Sequence, residues 1–154
     1  MRHYLAAASA LLVASTVMPC RAHAEEGWHF DAAGNLFITE SAITSTPEFI
    51  PLRSGETNME IIAVRDNAGK VRTAFNTCQV CNGSPRAFFA PVKQGLQCQN
   101  CGNIFPADQV GAEGNGCNPL GIPGIKKETA LFIPAEIIAS HKVKFRNWKK
   151  GLKQ

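Results

Sequence analysis

Apolar residues along this chain gather in short runs separated by turn-forming residues, and no run keeps the 3.6-residue period of a long helix. The segments 36–39 (LFIT), 48–53 (EFIPLR), 59–66 (MEIIAVRD), 71–76 (VRTAFN), 86–92 (RAFFAPV) and 130–135 (ALFIPA) are rich in Val, Ile and Phe, and each predicts a strand. Between the third and fourth lies DNAGK, whose Asn67 and Gly69 supply the backbone freedom of a hairpin turn. Pro51, Pro91 and Pro134 have no amide to donate, so their strands belong at sheet edges or stop at the proline. AEIIASH, 135–141, predicts one or two helical turns. GAEGNGCNPLGIPG, 111–124, has five Gly and two Pro and predicts a structured loop. With no linker and no repeat beyond a doubled cysteine motif, the pattern predicts one small, mainly β domain with little helix.

The N-terminal run is different. Arg2 precedes an almost unbroken apolar and small-residue stretch, Leu5 to Met18, followed by Ala22-His23-Ala24, the small-x-small pattern of a cleavage site. Residues 1–24 therefore predict a secretory signal peptide. The run is shorter than the ~20 residues of a spanning helix, and Met18 and Pro19 stand where a lipid-anchored Cys20 needs small residues. The expectation is a periplasmic protein, soluble after cleavage, with a single cysteine-rich domain over 25–140.

Charge refines this only locally. After loss of Arg2 and Arg21, 14 basic residues face 12 acids, too even a balance for nucleic-acid binding. Residues 141–154, HKVKFRNWKKGLKQ, carry six Lys or Arg and no acid. They predict a basic C-terminal tail, frayed and solvated, with contact to an anionic membrane surface through Phe145 and Trp148 as the alternative.

The chemistry lies in CQVCNGSPRAFFAPVKQGLQCQNC, 78–101, two C-x-x-C pairs, with Cys117 downstream. Five thiols after signal removal cannot all pair as disulfides. Two C-x-x-C turns can bring four sulfurs to a common ion about 2.3 Å away, and Asn82-Gly83 and Gly102-Asn103 are expected to turn backbone amides toward them. A thioredoxin-like pair opens a helix, which Gly83, Ser84, Pro85, Gly102 and Pro106 oppose; haem attachment needs C-x-x-C-H, which neither pair has. A four-residue disulfide loop is worth about 2 kcal/mol, against roughly 10 to 16 for a thiolate zinc site. Structural disulfides and redox-active thiols remain the alternatives to a metal held by Cys78, Cys81, Cys98 and Cys101. Cys117 is a further ligand or a small residue packed in its glycine loop. His29 and His141, far from the cysteines in sequence, read as exposed or satisfied histidines. No hydrolase or phosphate-loop constellation is present.

The order of strand, turn, strand, ligand loop, about sixteen residues and a second ligand loop resembles the Rieske domain. Cys98-Gln99-Asn100-Cys101-Gly102 and Phe105 stand where that family has C-x-x-H-G-x-x-F, with Cys replacing both ligand histidines. The resemblance implies a small Rieske-like or rubredoxin-like β-sandwich with two metal-knuckle loops. GKVRTAFNTCQVC, CQNCGNIFP and GCNP resemble more closely the family described as membrane iron-sulfur-containing protein, FtrD-like, whose cysteine positions fall on Cys78, Cys81, Cys98, Cys101 and Cys117. That resemblance implies an iron-sulfur centre and a role in periplasmic iron uptake beside an iron permease and redox partners. The single Arg in MRHY speaks for export of an unfolded chain, which favours iron or zinc, ahead of copper, acquired outside the cytoplasm over a preassembled cluster. Metal binding or electron transfer is the expected function; a thiol-disulfide oxidoreductase and a structural zinc module for protein interaction are the alternatives.

Overall fold

Met59 to Val64 are buried without a break, a pattern that a strand shows only when it is covered on both faces. The computed structural model describes residues 27–112, 114, 116–123 and 125–152; the signal peptide expected over 1–24, with Cys20, lies outside them. The buried run belongs to β4 (Thr57–Arg65), which pairs with β3 (Glu48–Ser54) and β5 (Val71–Cys78), and β5 pairs in turn with β9 (Pro119–Gly121). All neighbours in this central sheet run antiparallel.

Side chains alternate between two cores. Met59, Ile61, Ala63 and Phe75 enter one, with Leu36, Ile38 and Ile133 from a sheet of order β1-β2-β11-β10. Its strands are β1 (Trp28–Phe30), β2 (Leu36–Thr39), β11 (Ala130–Ile133) and β10 (Ile125–Lys127). Ile62, Val64 and Ala74 enter the other, with Phe89 and Leu96 from a three-stranded sheet. That sheet is β6 (Phe89–Val92), β7 (Gly95–Cys98) and β8 (Ile104–Phe105). The protein is mainly β, as its sequence predicts, and the central sheet is the middle of three layers.

The hairpin expected at DNAGK forms: β4 ends at Arg65, β5 begins at Val71, and Gly69 sits at φ +80°. Asp66 holds the turn, accepting the amides of Ala68 and Lys70 and the Arg72 guanidinium. Pro51 and Pro91 lie within the edge strands β3 and β6, and β11 stops before Pro134. The segment 135–141 is the helix α1 (Ala135–His141). The loop expected over 111–124 contains β9, because Leu120 and Gly121 continue the ladder of β5.

Residues 141–154 depart from expectation most. A 3-10 turn, Lys142–Phe145, follows α1, and Phe145 and Trp148 are buried in the first core, so neither is free to anchor in a membrane. Trp148 Nε1 donates to Asn76 O at 2.9 Å, and Lys149 N to Pro85 O at 3.0 Å. Lys150 pairs with Glu60, a carboxylate buried in β4 that also accepts from the Asn76 amide. Burial of two aromatic rings decides the placement, while Lys142, Lys144, Arg146 and Lys149 around them stay exposed. The basic stretch is thus a strap that closes the core and holds the chain beyond Cys81.

Trp148→Ala is expected to cost about 3–5 kcal/mol in denaturant unfolding, whereas Lys142→Ala, on the exposed side of the strap, stays within about 0.5 kcal/mol. Equal, negligible effects are the result a solvated tail would give.

Candidate metal centre

The two ligand loops begin where strands end. β5 stops at Cys78 and β7 at Cys98, and each chain then turns so that the third residue onward is again cysteine. The turns close on sulfur: the Cys81 amide donates to Cys78 Sγ, and the backbone of Val80, like that of Asn100 and Cys101 in the second loop, favours the charged form of Cys78 and Cys98 respectively. Cys81 N lies 3.2 Å from the Cys78 sulfur. The donors therefore sit inside each C-x-x-C, one residue or more earlier than the Asn-Gly positions expected from sequence. Asn82 instead donates its side-chain amide to Gln79 O at 2.7 Å. Gly102, at φ +79°, donates its N–H to Cys98 O at 2.9 Å, a conformation that costs an L residue roughly 1–2 kcal/mol.

Residues 87 and 88 lace the loops together. Cys78 N donates to Ala87 O at 3.1 Å, and Gln99 N to Phe88 O at 2.8 Å. Just behind, the buried Asn76 amide accepts from Phe89 N at 2.7 Å and donates to Phe89 O at 3.2 Å, joining the two sheets. Cys117 enters from a third side, two residues before β9 begins at Pro119, which stands opposite Cys78. Its loop is fixed by Gln79 N to Asn118 O (3.2 Å) and by Gln79 Nε2 and Asn118 Nδ2, both donating to Ala112 O.

None of these five thiols is in a disulfide. Their sulfurs form two triads, Cys78–Cys81–Cys117 and Cys81–Cys98–Cys101, each with all separations within 4.8 Å. Ligands bound at 2.3 Å to one tetrahedral ion stand about 3.8 Å apart. Cys81 Sγ and Cys117 Sγ, 3.9 Å apart, have that spacing. The all-sulfur donor set fits a thiolate-held iron or zinc. His29 stacks on Phe37 and His141 on Phe75, outside both triads.

Cys78 and Cys98 are buried, Cys81 and Cys117 half-buried, and Cys101 exposed. Burial among Ile62, Val64, Phe89 and Leu96 pushes the Cys78 and Cys98 thiols up. Burial, reinforced by the thiols of Cys101 and Cys81, raises Cys117 to about 11. At Cys81 burial acts the same way, but hydrogen bonding with the Asn100 side chain and the thiols of Cys78, Cys117 and Cys101 outweighs it and lowers the thiol. Without a cation most of the cluster stays protonated; a metal supplies the charge that the apolar shell cannot. Sequence reasoning missed the positioning roles of Gln79, Asn100 and Asn76, since an amide side chain beside a cysteine carries no pattern of its own.

Among known families, the one described as Membrane iron-sulfur containing protein FtrD-like has a sequence profile that matches residues 44–145, a span that holds all five cysteines. No curated protein and no solved structure matches.

The raised thiols set a pH dependence. Cys78 and Cys98 keep their protons through neutrality and release them to a metal, so affinity falls as pH falls. Each such thiol contributes a factor of ten per pH unit, giving at least about a hundredfold per unit for the two between about pH 6 and 8. A competition titration with a chromophoric chelator measures this; a pH-independent affinity contradicts ligation by the buried pair.

Proposed function

The chain belongs to the family of membrane iron-sulfur containing proteins described as FtrD-like, and from that premise we propose that it is a metal-binding electron carrier serving iron acquisition. Its ligands in this reading are Cys78, Cys81, Cys98, Cys101 and Cys117. The observation that carries it is the convergence of five unpaired thiols from three chain segments, with the Cys81 amide already donating to the Cys78 sulfur.

Iron held by thiolates supplies a one-electron couple of low potential compared with a histidine-ligated Rieske centre. The chain's own part is to tune and expose it. The amides of Val80, Cys81, Asn100 and Cys101 stabilise negative charge on Cys78 and Cys98 and so favour the reduced state. The apolar shell keeps water from the two buried sulfurs. Cys101 is exposed, and Val80, inside the first ligand loop, is 63% exposed, which gives a partner a short apolar approach to the centre.

In the same proposal residues 1–24 direct export, the domain works in the periplasm, and an iron permease and its redox partners are the proteins it serves. The Rieske-like plan of two ligand loops at one end of a small β core belongs to this reading. Among the described residues no helix is long and apolar enough to cross a membrane.

A thiol-disulfide oxidoreductase is the second reading, favoured by the lowered Cys81 thiol and its 3.9 Å separation from Cys117 Sγ. Anaerobic purification from the native host, metal analysis and an absorption spectrum separate the two. Electron transfer predicts iron with visible thiolate-to-iron bands that bleach reversibly on reduction, and predicts that Cys98→Ser removes both the bands and the metal. Colourless, metal-free protein that forms a reversible Cys81–Cys117 disulfide contradicts it and supports the second reading.

A further inference from the structure

Cys81 has more sulfur neighbours than one ion explains. Its Sγ lies within 4.8 Å of Cys78 and Cys117 in one triad and of Cys98 and Cys101 in the other. Around a single tetrahedral ion each ligand has three fellow ligands; Cys81 has four.

We propose that the five thiolates hold two divalent metal ions, one between Cys78, Cys81 and Cys117 and one between Cys81, Cys98 and Cys101, with the Cys81 thiolate bridging them. The proposal rests on the metal-binding reading above and deepens it, fixing the number of ions and the role of Cys117.

Three further observations bear on it. Charge is the first. One divalent ion with four thiolates leaves a net charge of −2 and an idle fifth thiol, whereas two divalent ions with five thiolates leave −1. In a site whose inner sulfurs are fully buried, the smaller excess carries the smaller desolvation cost. Five thiol protons leave as the two ions enter, so the site gains four positive charges, loses five, and ends at −1.

The second is how Cys117 is held. Gln79 and Asn118 fix its loop through Ala112 O, its carbonyl lies 3.3 Å from Cys78 Sγ, and its sulfur stands 3.9 Å from Cys81. A bystander in a glycine loop needs none of these ties.

The third is the setting of Cys81 itself. Cys81 belongs to both triads, so its sulfur, carried by the first loop, stands beside Cys98 and Cys101 of the second as well as beside Cys117. In a single inorganic cluster, irons and sulfides fill the space between ligands, and sulfurs on different irons stand further apart than those sharing one ion. Here the sulfurs of each triad all lie within 4.8 Å of one another, and Cys81 and Cys117 stand 3.9 Å apart. Each ion then has three protein ligands and one open position, and exposed Cys101 puts the second ion nearer to solvent.

The test uses the full chain with Cys20→Ser, reduced, stripped of metal and kept anaerobic, titrated with cobalt(II) and followed by thiolate-to-cobalt charge-transfer absorbance. The expected break falls at two cobalt per chain. Cys117→Ser moves the break to one while the remaining ion keeps its tetrahedral spectrum, which also shows that the variant is folded. Cys81→Ser weakens uptake at both positions. A break at one cobalt per chain, unchanged by Cys117→Ser, overturns the two-ion centre and leaves the metal-binding reading intact. Absence of any thiolate-cobalt absorbance overturns both.

Discussion

The central sheet is apolar on both faces, and the rest of the architecture follows from covering it. Ile62 and Val64 face one way and Met59 and Ile61 the other, so one layer of structure cannot bury them all. Each face buried removes several large side chains from water at roughly 1.5–3 kcal/mol apiece. One cover is the sheet built from both ends of the chain, completed by α1 and the strap of Phe145 and Trp148. The other is the small sheet β6-β7-β8, and its docking matters for chemistry because β7 ends in Cys98. When that sheet closes over Ile62 and Val64, the second ligand loop is carried to the first. The Asn76 amide, paired with both backbone groups of Phe89, sets the alignment of the two sheets two residues before Cys78.

That arrangement turns a packing problem into a binding site. Thiols pressed together in an apolar shell resist ionisation, and the raised Cys78 and Cys98 show the cost of gathering them without a cation. The Cys81 amide donates to the Cys78 sulfur, and Gly102 takes the left-handed conformation that lets the second loop turn back on Cys98. Site and fold would therefore stabilise each other in the proposed centre: the hydrophobic layers hold the thiols in place, and a bound ion would cross-link β5, β7 and the loop before β9. The strap is part of this mutual support, since Asn147 and Lys149 bond to Gly83 and Pro85, just beyond Cys81.

Much of the plan was legible in the sequence because it rests on local rules. DNAGK announces its hairpin by turn chemistry, prolines mark the edge strands, and the doubled C-x-x-C marks the ligand loops through spacing alone. What stayed hidden depends on contacts between distant segments. Six basic residues around Trp148 read as solvated by composition, yet two aromatic rings among them join a core whose members include Leu36 and Ile38 from the opposite end of the described chain. The burial of Glu60 within β4 rests on Asn76 and Lys150, which come from other segments. β9 hides in a Gly- and Pro-rich stretch because a three-residue strand is specified by the edge of β5 rather than by its own propensity. Cys117 carried a family resemblance but no local motif; its place beside Cys81 comes from the register of β9.

The most direct measurement of the central claim is X-ray absorption at the edge of whatever metal the anaerobically isolated protein contains. A thiolate centre built from these cysteines predicts a first shell dominated by sulfur at about 2.3 Å. A shell of nitrogen and oxygen, with no sulfur at that distance, would contradict it and place the metal elsewhere on the molecule.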